Sequence, residues 1–301
     1  MSPPDIRVGV DLGGTKIEAV ALDRSGAERF RARIATPPDY RETLRAIAGL
    51  VARAEEGAGG HASVGVGIPG AVSRVTGRVK NANATWLNGE AFVEDVSAAL
   101  AREVRVENDA NCLAVSEATD GSGAGLGVVF AVILGTGVGA GVAIGGRAHA
   151  GPNRVAGEWG HNPLPWPRED EAPGPPCYCG AEGCIETWLS GPALARQLRE
   201  AGGAGDAARV FELAAERDLR AGRVLEAYLD RLARALSHVV NVLDPDAIVL
   251  GGGVSRQLRI YEGLGARMGA YVFGGECATP VLSAKHGDAS GVRGAAWLWP
   301  R

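Results

Sequence analysis

Cys177, Cys179 and Cys184 are three of only five cysteines in the chain, and C-Y-C-G-A-E-G-C sets them beside Gly180 and Gly183, which let a backbone fold tightly around an ion. His161, in E-W-G-H, stands upstream as the fourth ligand. Three thiolates and one imidazole make a closed Cys₃His set of the kind structural zinc prefers. A filled shell leaves no position for a water nucleophile, so such a metal shapes a loop. Glu158 and Glu186 flank the set and would ride on the rigid knuckle, while the second ring nitrogen of His161 needs a partner. A polyhydroxy ligand between them would satisfy all three. The alternative is a disulfide or buried thiols; a cysteine cluster in a chain without a secretory signal favours metal. Cys112 and Cys277 read as small core residues.

Glycine-rich turns supply a second kind of chemistry. D-L-G-G-T-K puts Asp11, Gly13, Gly14, Thr15 and Lys16 at a turn between two apolar runs. The glycines admit close approach of a ligand, Thr15 and Lys16 offer a hydroxyl and a cation, and Asp11 could hold hydrated Mg²⁺. A plain Gly-Gly hairpin fits this motif equally well. G-T-G-V-G repeats the arrangement at Thr136 and Gly137, which suggests an internal duplication with one turn from each half facing a common cleft. I-V-L-G-G-G-V opens a buried strand into Gly251, Gly252 and Gly253, at the end of a strand where ligands bind in α/β sheets. E-N-D brings Asp109 to a strand end, as a general base toward a hydroxyl or as an N-cap. K-N-A-N-A-T-W-L-N-G is rich in amides that could line a sugar site or be merely solvated.

These residues need elements to carry them. Strand patterns cover Ile6 to Asp11, Lys16 to Leu22, Glu28 to Ile34, Val104 to Glu107 and Ala247 to Leu250, and S-V-G-V-G-I-P-G is a strand ending at Gly70. Leu44, Ile47, Leu50 and Val51 recur at helical spacing within Tyr40 to Glu56. Further helices are expected at Gly191 to Arg199, Ala207 to Glu216 and Ala221 to Leu243, near Gln257, and from about Ser290 to the end, the last packing back on the first domain. W-P-R-E-D-E-A-P-G-P-P is a loop whose prolines exclude a helix. Gly65, Gly67 and Gly70 satisfy G-x-G-x-x-G, yet they lie inside a strand with no helix pattern after it, so an NAD-dependent oxidoreductase is disfavoured.

At 301 residues the chain is long enough for two domains. A net charge of -4 argues against a nucleic-acid or anionic-membrane surface. No stretch is long and apolar enough to span a bilayer and no signal peptide is evident, so a soluble cytoplasmic protein is expected. No G-x-x-x-x-G-K-[ST] occurs, which excludes a P-loop enzyme.

Taken together and in order, D-L-G-G-T-K, G-I-P-G, E-N-D-A-N, G-T-G-V-G-A-G, E-W-G-H, C-Y-C-G-A-E-G-C-I-E-T and I-V-L-G-G-G-V resemble the ROK family of sugar kinases and repressors, over essentially the whole chain. The resemblance implies an α/β, two-domain actin-like ATPase (ribonuclease H-like) fold with an interdomain cleft and a zinc knuckle. It implies a smaller domain of residues 1-112 plus 290-301 and a larger one of residues 113-289. Asp109 would be the catalytic base, with Asn108 beside it on the sugar. Glu158, His161 and Glu186 would bind sugar hydroxyls, His161 using one nitrogen for structural Zn²⁺ and the other for sugar; Gly70 and Asn83 are further sugar contacts. Asp11, Gly13, Gly14, Thr15 and Lys16 match the first phosphate motif for ATP and Mg²⁺, Thr136 and Gly137 the second, and Gly251, Gly252 and Gly253 the adenosine motif. The implied partners are a hexose, ATP and a second copy of the chain. Segments such as K-N-A-N-A-T-W-L-N-G and F-G-G-E-C are most similar to the manno(fructo)kinase type, implying phosphorylation of O6 of D-fructose, with mannose also accepted. Alternatives are a glucokinase or N-acetylhexosamine kinase, or a non-catalytic sugar sensor. A repressor would need an N-terminal DNA-binding helix-turn-helix, for which the first strand at Ile6 leaves no room.

Overall fold

The computed structural model describes residues 6–299. In chain order its strands and helices are β1 (Ile6–Leu12), β2 (Lys16–Leu22), β3 (Glu28–Ala35), α1 (Tyr40–Ala58), β4 (Ala62–Ile68), β5 (Ala71–Val72), β6 (Val79–Lys80), α2 (Phe92–Ala99), β7 (Val104–Asn108) and α3 (Asp109–Thr119). There follow β8 (Val128–Leu134), β9 (Val138–Ile144), β10 (Arg147–Ala148), α4 (Ile185–Leu189), α5 (Gly191–Glu200), α6 (Ala207–Ala215), α7 (Leu219–Leu243), β11 (Ala247–Gly251), α8 (Leu264–Gly269), β12 (Val281–Ser283) and α9 (Ser290–Ala296). The chain divides into two compact units. One holds the residues up to Gly125, Gly141–Ala156 and those from Lys285 on; the other holds Leu126–Ala140 and Gly157–Ala284.

The first unit is built on a sheet of order β3-β2-β1-β4-β7. β1 pairs antiparallel with β2 and parallel with β4, and β4 pairs parallel with β7. Near-continuous burial of Val8, Val10, Leu12, Val64 and Val66 reflects cover on both faces. α1 lays Ile47, Leu50 and Val51 into one core with these strands, capped by Asp39, which accepts from Glu42 N at 2.9 Å. On α9's side the strands carry glycine for lack of space: a Cβ on Gly9 would lie 2.0 Å from Val292 O, and one on Gly65 1.9 Å from Ala295 O. The glycine pattern Gly65, Gly67, Gly70 is thus a packing pattern. No helix follows it; β5 does. β3 alternates in burial as an edge strand, and its Arg31 and Arg33 both pair with buried Glu18, at 2.6 Å each.

α3 stays with the first unit because α9 crosses it closely, a Cβ on Gly294 falling 1.7 Å from Cys112 O. The unit boundary therefore lies beyond α3, at Gly125, where the expected division fell after residue 112. Residues 1–5 and 300–301 of that division lie outside the described ones.

The second sheet has the order β10-β9-β8-β11-β12. β11 runs parallel to β8 and β12, with Ile248 opposite Phe130 and Val281. α7, capped by Asp218, buries Leu225, Tyr228, Leu232 and Leu236. Two expectations give way. In place of a helix near Gln257 there are two 3₁₀ turns, Val254–Arg256 and Leu258–Ile260, with Gln257 extended between them (ψ 106°); side chains compete for the backbone there, Ser255 Oγ donating to Gly252 O and Tyr261 OH to Ser255 O. Cys277 is only half-buried, whereas Cys112 is a core residue as expected.

Candidate functional site

In the first unit the D-L-G-G-T-K turn closes β1 onto β2, with Gly13 N donating to Lys16 O at 2.9 Å. A Cβ on Gly13 would sit 2.9 Å from that same oxygen, so glycine is required. Thr36 pins the turn, its hydroxyl donating to Gly13 O and its amide to Thr15 O. Gly14, Thr15 and Lys16 remain exposed. Asp11, at the end of β1, is pushed up to about 7 by burial, with Asp109 and Glu18 adding to the rise and Lys16 and Arg33 opposing it. Asp11 thus shares a poorly solvated place with two other carboxylates, the condition under which it retains its proton.

Asp109 opens α3, but it is not the cap. Asn108 holds that position, its Oδ1 accepting from Ala110 N and Asn111 N while its Nδ2 donates to Gly70 O at 3.0 Å. Asp109 Oδ1 accepts from Ala110 N at 2.8 Å. Gly70 has φ 75° and no room for a side chain, a Cβ there meeting Lys80 O at 2.4 Å. Asn83 is exposed in a loop that Asn88 closes with a pair of bonds to the Ala82 backbone, both at 2.9 Å. Glu107 escaped the motif reading. Its Oε1 accepts from Asn108 N and Asn111 Nδ2 and its Oε2 from Arg154, tying E-N-D to the loop before Glu158. Only the E in E-N-D hinted at this.

In the second unit E-W-G-H is a 3₁₀ turn, Glu158–His161, entered through Gly157 at φ 92°. Trp159 anchors it, buried edge-to-face against Phe130 with Nε1 donating to Ala235 O at 3.2 Å. Gly160 is obligatory, since a Cβ would lie 1.8 Å from Val138 O. Glu158 is left exposed and His161 half-exposed. Glu186, in the first turn of α4, reaches the second glycine turn: its Oε2 accepts from Val138 N at 2.8 Å and lies 2.5 Å from where a Cβ on Gly137 would be. Glu186 and the Thr136-Gly137 turn are therefore one construction.

His161, Cys177, Cys179 and Cys184 offer ligand atoms that all lie within 4.8 Å of one another. Cys177 Sγ is 3.5 Å from His161 Nδ1, and Cys179 Sγ is 3.6 Å from Cys184 Sγ. Tetrahedral zinc with Zn–S about 2.3 Å and Zn–N about 2.1 Å demands edges of about 3.6–3.8 Å, so the donor set fits the ion. Gly180 (φ 93°) and Gly183 (φ 69°) make the bends that bring the thiols together. Burial pushes the Cys184 thiol up to about 12, with the neighbouring cysteines adding to it, so a metal there must displace protons.

A cavity of about 480 Å³ in the second unit is lined by Gly135, Thr136, Gly253 and Val254, with Asp206 and Phe211 also on its wall. Of Gly251, Gly252 and Gly253, the last reaches the cavity; Gly252 makes the turn at φ 87°, and Gly251 ends the strand. Asp206, N-cap of α6, and Phe211 were not singled out from sequence, for neither sits in a motif.

A ROK family model matches residues 7–301. The chain belongs to the ROK family. Within it, the chain is 36% identical over 301 residues to an N-acetyl-D-glucosamine kinase of Haemophilus influenzae, covering 97% of this chain and 98% of that one. An N-acetyl-D-glucosamine kinase of Salmonella paratyphi C is 38% identical, covering 96% and 98%. Among solved structures, the ROK hexokinase from Thermus thermophilus superposes with TM-score 0.86 at 31% identity, covering 97% of each chain. A ROK family glucokinase from Streptomyces griseus in complex with glucose and AMPPNP gives TM-score 0.77 at 30% identity, covering 97% of this chain and 98% of that one. The fold is that of the ROK sugar kinases. No helix among the described residues is long and apolar enough to cross a membrane.

Proposed function

We propose that this ROK protein is an ATP-dependent sugar kinase that phosphorylates O6 of N-acetyl-D-glucosamine. The observation that carries the sugar is the end-to-end likeness, at 36–38% identity, to N-acetyl-D-glucosamine kinases. D-Glucose is the second reading, favoured by the glucokinase solved with glucose and AMPPNP. Both fall within the alternative that the motifs left open; none of these relatives is a fructokinase, and fructose is the weaker assignment.

In this reading Asp109 takes the proton of the attacking hydroxyl, with Asn108 and Gly70 fixing the start of α3 beneath it. Asn83 and, on the knuckle, Glu158, His161 and Glu186 hold the other hydroxyls. Gly13, Gly14, Thr15 and Lys16 cradle phosphate, as do Thr136 and Gly137. The 480 Å³ cavity suits a nucleoside: Phe211 and Val254 supply apolar wall, Asp206 an acceptor for ribose, and Gly253 a close backbone approach. Asp11 would hold hydrated Mg²⁺, which supplies charge neutralisation for phosphoryl transfer. His161, Cys177, Cys179 and Cys184 would hold zinc, which supplies rigidity to the knuckle. A homodimer belongs to the same proposal, and sedimentation would check it.

The test is initial-rate phosphorylation by zinc-loaded protein with Mg-ATP, comparing kcat/KM for N-acetyl-D-glucosamine, D-glucose, D-mannose and D-fructose. The N-acetyl sugar should lead, and a lead for fructose would return the assignment to the manno(fructo)kinase type. No turnover with any hexose would remove the kinase reading.

A further inference from the structure

The residue between the first two knuckle cysteines is Tyr178. Although 81% exposed, its side chain is engaged: its hydroxyl lies 2.9 Å from His161 Nε2, and the two rings meet edge to face, centroids 5.0 Å apart at 88°. His161 has two ring nitrogens to share. Nδ1 points at Cys177 Sγ, among the converging ligand atoms. A metal held there takes Nδ1 and leaves the ring proton on Nε2. That N–H is the group the sugar would use, and in this tautomer the Tyr178 hydroxyl accepts it.

We propose that the Tyr178 hydroxyl is a latch on His161 Nε2, one that a hydroxyl of the incoming neutral hexose must displace. The inference rests on the sugar-kinase reading of the knuckle. One N–H makes one well-aligned hydrogen bond at a time, so Tyr178 and the sugar compete for it. Because the phenol is exposed, water receives it on release, and the latch costs no more than one ordinary hydrogen bond. Tyr178 is therefore a positioning residue: it orients the imidazole in the empty site and sets how tightly a sugar must bind to claim it.

Tyr178→Phe deletes the hydroxyl and keeps the edge-to-face ring. In zinc-loaded full-length protein without nucleotide, calorimetry should find N-acetyl-D-glucosamine and D-glucose bound about 2- to 10-fold more tightly by the variant, the span of one net hydrogen bond. Sugar KM should fall in step, while kcat, KM for Mg-ATP and zinc content stay at wild-type values. Tyr178→Leu, lacking hydroxyl and ring, should shift affinity in the same direction. Unchanged or weaker sugar binding with zinc retained overturns the latch. Zinc loss from both variants overturns it too, making Tyr178 a support of the metal. If neither wild type nor variant binds any hexose, the kinase reading falls and the latch with it.

Discussion

The cap of α3 falls to Asn108 and not to Asp109, since Asn108 accepts from Ala110 N and donates to Gly70 O, a placement that supports the base role proposed for Asp109. Substitution of Asp109 can therefore be separated from substitution of the fold. In Asp109→Asn the amide oxygen can still accept from Ala110 N, so thermal stability should be unchanged within about 1 kcal/mol. The proton acceptor is gone, and kcat should fall by about 10²- to 10⁴-fold with sugar affinity preserved. Wild-type turnover in this variant would take Asp109 out of the base role. E-N-D drew attention to Asp109 from sequence because it falls where a strand gives way to a helix, a place that suits either a general base or an N-cap. Glu107 and Tyr178 were harder to read: Glu107's bond to Arg154 spans 47 residues and Tyr178's to His161 spans 17, and no local pattern encodes such pairs.

The Cys₃His knuckle is an element with little hydrophobic core, held by two isolated bridges, Pro163 with Cys184 and Pro176 with Glu182, and by bends at Gly180 and Gly183. With so little burial behind it, the zinc proposed for this site should supply most of its local order. Cys179→Ser should lose zinc, and because Cys184 sits two residues from Glu186, the loss should displace Glu158, Glu186 and the Val138 turn together. The expected result is a rise of at least about 10-fold in sugar KM, with local hydrogen-exchange protection lost across residues 158–186. Retained zinc with a normal sugar KM would show the metal site to be wrong. The knuckle was legible because cysteine is rare and its spacing tight, and strands and helices were legible from period. What period could not show was why glycines interrupt β1 and β4: α9, more than 200 residues downstream in sequence, presses its backbone against Gly9 and Gly65. The same blindness to distant contact placed a helix near Gln257, where Ser255 and Tyr261 capture the backbone instead.

Across the whole molecule, two carboxylates give stability opposite dependences on pH. Glu171 lies in the second unit, where burial would raise it, yet Arg234 and Arg231, paired with it at 2.8 and 2.7 Å, hold its carboxyl down at about 2 against an ordinary 4.5. The folded form binds that proton less readily than the unfolded chain, so its contribution is present above about pH 4.5 and is lost as pH falls toward 2. Asp11 in the first unit is the reverse: burial, then Asp109, raise it from 3.8 to about 7. Here the folded form holds the proton more tightly, so stability is fullest below about pH 4 and declines as pH rises to about 7, by a few kcal/mol at most. Without Mg²⁺ or nucleotide, Asp11→Asn should melt at the wild-type temperature at pH 4 and about 5 °C or more above it at pH 8. On the role proposed for Asp11 toward Mg²⁺, the gain should come with lost turnover. Glu171→Gln should behave oppositely, melting below wild type at pH 7 with the gap closing toward pH 2. Calorimetric scans across this range would decide it: equal melting temperatures of Asp11→Asn and wild type at pH 8 would mean that Asp11 ionises at an ordinary pH in the folded protein and carries no such strain.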